Sequence, residues 1–275
     1  MKSRKAIKII LIVISVLILL MVTMGITTVT SHSKRRWMPD YEQVELDEIL
    51  NKSEFSEADY EVLFNQTGLT KIGVDRVVNK YGKIKLKEFQ ESYYKEREIQ
   101  HLWISPVTCY DQFENLVPFS PLEDGDILIS DTTHLSFWHC GHAELVVHGS
   151  VNQTLYSMGY GYPSEVGNCL DFFHRVNFLI LRPKLDKELI DQITEYAEDN
   201  LQGISYQATI GYFNKKFPDT LKSTNCSHLV WYAFKKFGID IDTNGGPGAF
   251  PYDLIDLEHF EIVQVFGFHP DKLWS

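Results

Sequence analysis

Between Ile9 and Ile26 the chain shows no polar periodicity at all: 18 residues without a charge, mostly Ile, Leu, Val and Met. Widened to Ala6–Val29, the run is interrupted only by Lys8. About 20 apolar residues are the length of a bilayer-crossing helix. A soluble core helix seldom lacks a polar face for so long. Beyond a short polar linker, Ser31–Asp40, the pattern becomes helical. Val44, Leu46, Ile49 and Leu50 recur near helical spacing. Ser56 and Asp59 stand at the two positions of a capping box, and Tyr60, Leu63 and Phe64 make the apolar stripe behind it. Gly68 closes that helix. Val74, Val77 and Val78 predict a second one ending near Gly82, and a third is expected over Leu86–Ile104.

After Ser105-Pro106 the signal changes to short apolar runs between turns. Strands are expected at Ile127–Ile129, Ala143–Val147, Thr154–Met158, Phe178–Leu181 and Phe260–Phe266. Helices are expected from Leu185 to Leu201 and from about Asn225 to Gly238. Strands followed by helices and a final strand describe an α+β domain. The division read from this pattern is 1–36, basic N-terminus and anchor; 37–117, a helical subdomain or spacer; and 118–275, the α+β domain.

Charge sharpens this division. The chain has 275 residues, 26 Lys+Arg, 37 Asp+Glu and a net charge of −11. Residues 1–36 hold seven of the bases and no acid, so the rest carries 19 bases against 37 acids, a net −18. Four bases precede the apolar run and three follow it. Lys and Arg are retained on the cytoplasmic side, and the N-terminal amine adds to the leading group. The expectation is a signal anchor with the body outside the cytoplasm, in the cell membrane. A cleaved signal peptide is the rival, although its apolar core would be shorter, about 7–15 residues, with a small-x-small site after it. An acidic body disfavours nucleic acid as a partner.

Candidate chemistry begins at Cys226. Ser223-Thr224-Asn225 offers three good N-cap residues in a row. Leu229, Val230, Ala233, Phe234 and Phe237 then form one apolar helix face. Cys226 therefore lies in the first turn, where the helix dipole favours a thiolate and free amides can receive an oxyanion. A small buried thiol of no chemical role is the plain alternative. Among ten histidines, His142 stands out, because Gly141 puts it at a strand entrance, sharing a face with Glu144 and Val146.

Taken together, Leu122-Glu123-Asp124-Gly125-Asp126-Ile127-Leu128, Gly141-His142-Ala143-Glu144-Leu145-Val146-Val147 and Asn225-Cys226-Ser227-His228-Leu229-Val230-Trp231 resemble the permuted papain-like branch of the NlpC-type cysteine peptidases. The nearest likeness is to the YiiX/YebB-like group. Tyr206 in Ile204-Ser205-Tyr206 and the run Pro251-Tyr252-Asp253-Leu254 agree with it, and the resemblance spans roughly 118–268. It implies a permuted papain-like (NlpC-type) fold with an antiparallel sheet and packed helices. It also implies Cys226 as nucleophile and His142 as general base and acid, without a cofactor. The group's third polar residue, often Glu, comes from the next strand, where this chain has Ser157; Glu144 is the substitute. His228 stands where the group has Glu, and with Tyr206 it is a candidate for substrate contact. The implied activity is hydrolysis of an amide bond, in a peptide or peptidoglycan fragment.

Two other readings remain open at this point. One is a papain-like domain without strong activity, binding wall fragments or a partner protein, motivated by the missing acidic residue at Ser157. The other is a zinc hydrolase drawing on His134, His139, Cys140, His142 and His148, which are ligand types at short spacings. A disulfide between two of Cys109, Cys140 and Cys169 is a further option. Gly245-Gly246-Pro247-Gly248 is not a phosphate loop, since no Gly-Lys-Ser/Thr follows; it is expected to be a loop near the site.

Overall fold

The computed structural model describes residues 2–32, 36–100, 107–111, 116–135 and 138–273. It is an α+β protein with an antiparallel sheet, preceded by a long apolar helix. That helix, α1, runs Lys2–His32. Its Ile7–Ile26 stretch is long and apolar enough to cross a membrane. The other helices are α2 (Asp47–Leu50), α3 (Glu57–Thr67), α4 (Lys71–Tyr81), α5 (Lys85–Tyr94), α6 (Lys187–Asn200) and α7 (Cys226–Lys235). The strands are β1 (Ile127–Ser130), β2 (His134–Leu135), β3 (Trp138–His139), β4 (His142–His148), β5 (Gln153–Tyr156), β6 (Glu165–Asn168), β7 (Phe178–Pro183), β8 (Ser205–Tyr206), β9 (Ser223–Thr224) and β10 (Phe260–Phe266).

The main sheet has the order β10-β7-β1-β4-β5-β6, with every neighbouring pair antiparallel. In register, Val265, Leu179, Ile129 and Ala143 form one row across four strands. Phe266 pairs with Phe178, and Ser130 with His142, one step further toward the same end. One face of the sheet carries Ile129, Ala143, Leu145 and Leu155 against α7 and α6, through Leu229, Val230, Ala233, Phe234, Ile193 and Ala197. The opposite face carries Leu128, Val146 and Ile180 against Phe172, Val176 and Tyr110. Period-2 alternation thus sorts two cores onto two faces.

The helical segment is fastened to the sheet. Ser56 and Asp59 form the expected capping box, and Gly68 ends α3 at φ 71°. Gly68 and Thr70 then hydrogen-bond to Val265 and Val263, extending the sheet beyond β10. Gly73 lies so close that a Cβ there would stand 2.3 Å from the Val263 carbonyl oxygen. Ahead of it, the Trp37 amide donates to the Gly267 carbonyl at 2.8 Å. The Arg36 guanidinium donates to the carbonyls of Lys95 and Arg97. The chain leaving α1 is therefore tied directly to the body.

The third helix of this segment is shorter than its pattern predicts. α5 stops at Tyr94 because the backbone of 98–100 pairs with 109–111 instead, Gln100 N–H to Cys109 O and Asp111 N–H to Glu98 O. The remainder of the expected helix, 101–104, lies outside the described residues.

Candidate functional site

The N-terminus of α7 is built by Asn225. Its side-chain oxygen accepts the His228 amide at 2.9 Å, in extended backbone geometry, so the helix starts at Cys226. Cys226 is only 9% exposed. His142 is the first residue of β4 and 3% exposed. The two side chains are near enough that each shifts the other's ionisation. His142 Nε2 meets Glu144 Oε1 at 3.1 Å, which leaves Nδ1 for the thiol. Glu144 is fully buried, and its other oxygen accepts from Thr154 Oγ1 at 2.6 Å. Phe172 stacks on the imidazole at a centroid distance of 5.9 Å.

The electrostatics favour a charged pair. Burial pushes the Cys226 thiol up, but the charge and hydrogen bond of His142 and the amides of Ala143 and Ser227 outweigh it, and the net shift is downward. Burial alone would lower His142; the Cys226 charge, with hydrogen bonds to Cys226 and Glu144, overcomes it and Arg175, and raises the imidazole to about 9. These are the marks of a thiolate–imidazolium pair.

Behind the imidazole lies a second acid. Asp171 is within 4.8 Å of the ligating atoms of both His142 and Glu144. Arg175, 1% exposed, holds Asp171 at 2.9 Å and donates to Thr132 Oγ1 and Thr133 Oγ1 at 3.0 Å each. Burial works against the Asp171 anion, yet the charges of Arg175 and His142 bring its carboxyl below the ordinary range. Glu144 goes the other way, raised by burial and by Asp171. Asp171, Arg175 and Thr154 were not singled out in the sequence. The i,i+4 spacing of Asp171 and Arg175 is the one local signal, and surface pairs share it.

Four sequence expectations need correction. Ser157 does not orient His142. Extending the β4–β5 register sets Ser157 opposite Ala143, on the α7 face, while Glu144 and Thr154 occupy the other face. The Ser157 hydroxyl is buried and makes no hydrogen bond to the imidazole. His228 is not a substrate contact. It is fully buried, with Nε2 donating to the Lys216 carbonyl at 2.8 Å and Nδ1 at 2.9 Å from Thr224 Oγ1. Burial lowers it to about 4, so it is a neutral structural ring. The five-residue zinc set does not converge. His142 and His148 sit at opposite ends of β4, about 20 Å apart at strand rise, and His148 faces Glu198 at 3.1 Å. All four cysteines are free thiols, so Cys109, Cys140 and Cys169 form no disulfide.

Among the described residues, the group that does converge is His142, Glu144 and Asp171. Its donors are already engaged with one another, with Thr154 and with Arg175, and a buried guanidinium beside them opposes a further cation.

Tyr206 and the Gly245–Gly248 loop lie close to the start of α7. β8 and β9 pair in parallel with Tyr206 opposite Thr224, two residues before Cys226. Burial, then the Cys226 and Cys140 charges, raise the Tyr206 phenol. The Tyr160 ring packs on Tyr206 edge to face at 5.1 Å. The Gly245–Gly248 loop is beside the site. Ser227 Oγ donates to the Ala249 carbonyl at 2.7 Å, and Lys216 Nζ donates to the Gly246 and Gly248 carbonyls. Trp231 is a core residue whose indole donates to Asp240.

No family model and no solved structure matches this chain. Among curated proteins, 42 residues are 45% identical to "Uncharacterized protein YycO" of Bacillus subtilis (strain 168). The match covers 15% of this chain and 17% of that protein.

Proposed function

We propose that this chain is a membrane-anchored, extracytoplasmic cysteine hydrolase of the permuted papain-like type, cleaving an amide bond in a peptide of the cell envelope. The observation that carries the reading is Cys226 on the first turn of α7, its ionisation favoured by the charge of a neighbouring His142 that buried Glu144 holds through Nε2. Histidine precedes cysteine in the chain, as in the permuted group it resembles.

The reaction follows from the geometry. The Cys226 thiolate adds to the carbonyl carbon, and the oxyanion is met by amides of the first helical turn. The C–N bond breaks as the His142 imidazolium gives its proton to the leaving amine, which departs. A thioester remains on Cys226. Neutral His142 then takes a proton from water, hydroxide adds to the thioester, and the acid is released as the thiolate reforms. No cofactor enters. Glu144 stands against the imidazole where position 157 offers no acid, which supports the hydrolase reading over that of an inert binding module.

Alkylation tests the proposal. Full-length protein in detergent is treated with iodoacetamide from pH 5 to 9, and adducts are located by mass spectrometry. Fast labelling of Cys226 well below pH 8, lost in His142→Ala, is the expected result. Labelling of Cys226 with the pH dependence of a free thiol would overturn it.

A further inference from the structure

The end of the sheet away from the dyad is hollowed. β1 and β7 are antiparallel, with Ile127 beside Leu181. The turn before β1 and the end of β7 therefore lie together, at the end opposite the Ser130–His142 pair. The Gly149 amide, just past His148, donates to Asp124 in that turn at 2.7 Å. The length of β4, about 20 Å, separates this point from His142. Here α4, the turn and the start of α6 enclose a cavity of about 560 Å³, a size that holds a small molecule.

The cavity is rich in cations for so acidic a body. Arg76 and Lys80 come from α4, Arg182 from β7 and Lys187 from α6. These are four of the 19 bases in a body of net charge −18. Glu123 and Asp124 in the turn and Asp191 on α6 are the acids. Leu185 and Ile190 supply apolar surface. Gly125 turns at φ 86°, and a Cβ there would stand 2.8 Å from Ile190, so the turn is seated tightly on α6.

Two guanidiniums meet in this space. Arg182 is 9% exposed and is fixed by fully buried Asp126, to which Nε and Nη2 donate at 2.9 and 2.7 Å. Arg76 is close enough that the Arg182 charge works against its own. Glu123 lies between them, paired with Arg76 and 3.2 Å from Arg182 Nε. Two guanidiniums around one carboxylate are a carboxylate-binding arrangement, here filled by a side chain of the protein itself. Glu123 is half-exposed, so water can take it over at small cost.

Charge balance then selects the ligand. Arg182 is already engaged by Asp126, and the remaining charges are close to even. A dianion meets no matching surplus of cations, whereas a molecule with one carboxylate and one ammonium finds partners for both. Asp191 holds Lys187 only through an exposed pair, which is cheap to exchange.

We propose that this cavity binds a small zwitterion, an apolar amino acid or short peptide. Its carboxylate sits between Arg76 and Arg182 in place of Glu123, its ammonium at Asp124 and Asp191, and its apolar side chain on Leu185 and Ile190. The site is separate from the Cys226–His142 pair and does not depend on that pair being a hydrolase.

Isothermal titration calorimetry of the full-length protein in detergent tests this with three probes: alanyl-leucine, its C-terminal amide and inorganic phosphate. Saturable binding of alanyl-leucine is expected, with the amide and phosphate each weaker by about tenfold or more. Arg76→Gln is expected to weaken alanyl-leucine by about tenfold. Glu123→Gln removes the internal competitor and is expected to tighten it severalfold, a gain that misfolding does not produce. Absence of saturable binding, equal binding of dipeptide and amide, or an affinity indifferent to both variants would overturn the site. Phosphate binding more tightly than alanyl-leucine would overturn the zwitterion as its ligand.

Discussion

At Cys226 two opposing effects set the chemistry, and the balance depends on a charge array that is only partly local. Around the imidazole stand Cys226, Glu144, Asp171 and Arg175, with Cys140 and Tyr206 near enough to feel the Cys226 charge. Asp171→Asn removes an anion beside His142 and leaves the Arg175 cation without its partner. Both changes disfavour imidazolium and with it the paired thiolate, so the acid limb of Cys226 labelling is expected to move up by about one unit. Glu144→Gln keeps an acceptor for Nε2–H, and the raised Glu144 carboxyl has less charge to lose; its shift is expected to be smaller. The paired pH–rate profiles check this, and equal shifts would refute the division of roles. Cys226 and His142 were legible because a cap and a strand entrance are local signals. Asp171 was not, since it reaches His142 from a different segment of the fold.

His228 carries a second residue-scale consequence. Its folded value of about 4 lies below the ordinary 6.5. Between these values the unfolded chain binds the proton and the folded chain does not, so stability rises with pH. The contribution is complete above about pH 6.5 and lost as pH falls toward 4, about 3 kcal/mol across the window. His228→Gln, which keeps a donor for the Lys216 carbonyl, is expected to flatten that part of the profile in urea titrations at pH 7, 5.5 and 4.5. An unchanged slope would refute the assignment.

At the scale of elements, helix ends were the most readable features. Ser56, Gly68, Gly82 and Asn225 each close or open a helix where cap chemistry requires it. Strand β10 begins and ends where its apolar run does. β6, β8 and β9 were invisible because they are short and polar, and they exist through partners distant in sequence. α5 was overextended because a helical pattern in 95–100 competes with pairing to 109–111, and periodicity does not report long-range pairing. Least readable was the docking of α4 on β10. It depends on Gly73, whose missing Cβ lets the helix approach Val263. Gly73→Ala is expected to cost about 2–3 kcal/mol through this overlap, against the small gain Ala brings to a helix interior. Thermal or urea denaturation of the two proteins decides it; a stabilised Gly73→Ala protein would mean that the contact gives way freely.

Across the whole molecule the charge divides between a +7 leading segment and a −18 body. For an apolar span, orientation follows the difference in Lys and Arg between its two flanks. Here that difference is one base, four against three, with the N-terminal amine added. Such a margin is narrow enough to reverse. Replacing Lys2, Arg4 and Lys5 by Gln leaves Lys8 and the amine facing Lys34, Arg35 and Arg36. The body is then expected to stay in the cytoplasm in a substantial fraction of molecules, seen as loss of protease access to the body in intact spheroplasts. Arg36→Gln on that background removes one trailing base and is expected to restore part of the external population. Arg36 also holds the Lys95 and Arg97 carbonyls, so the same substitution loosens the grip of the body on its tether. Recovered topology with a lower urea midpoint of the body would separate the two roles of this one cation. An orientation indifferent to all four substitutions would mean that the folded body, rather than its flanking bases, decides which side it occupies.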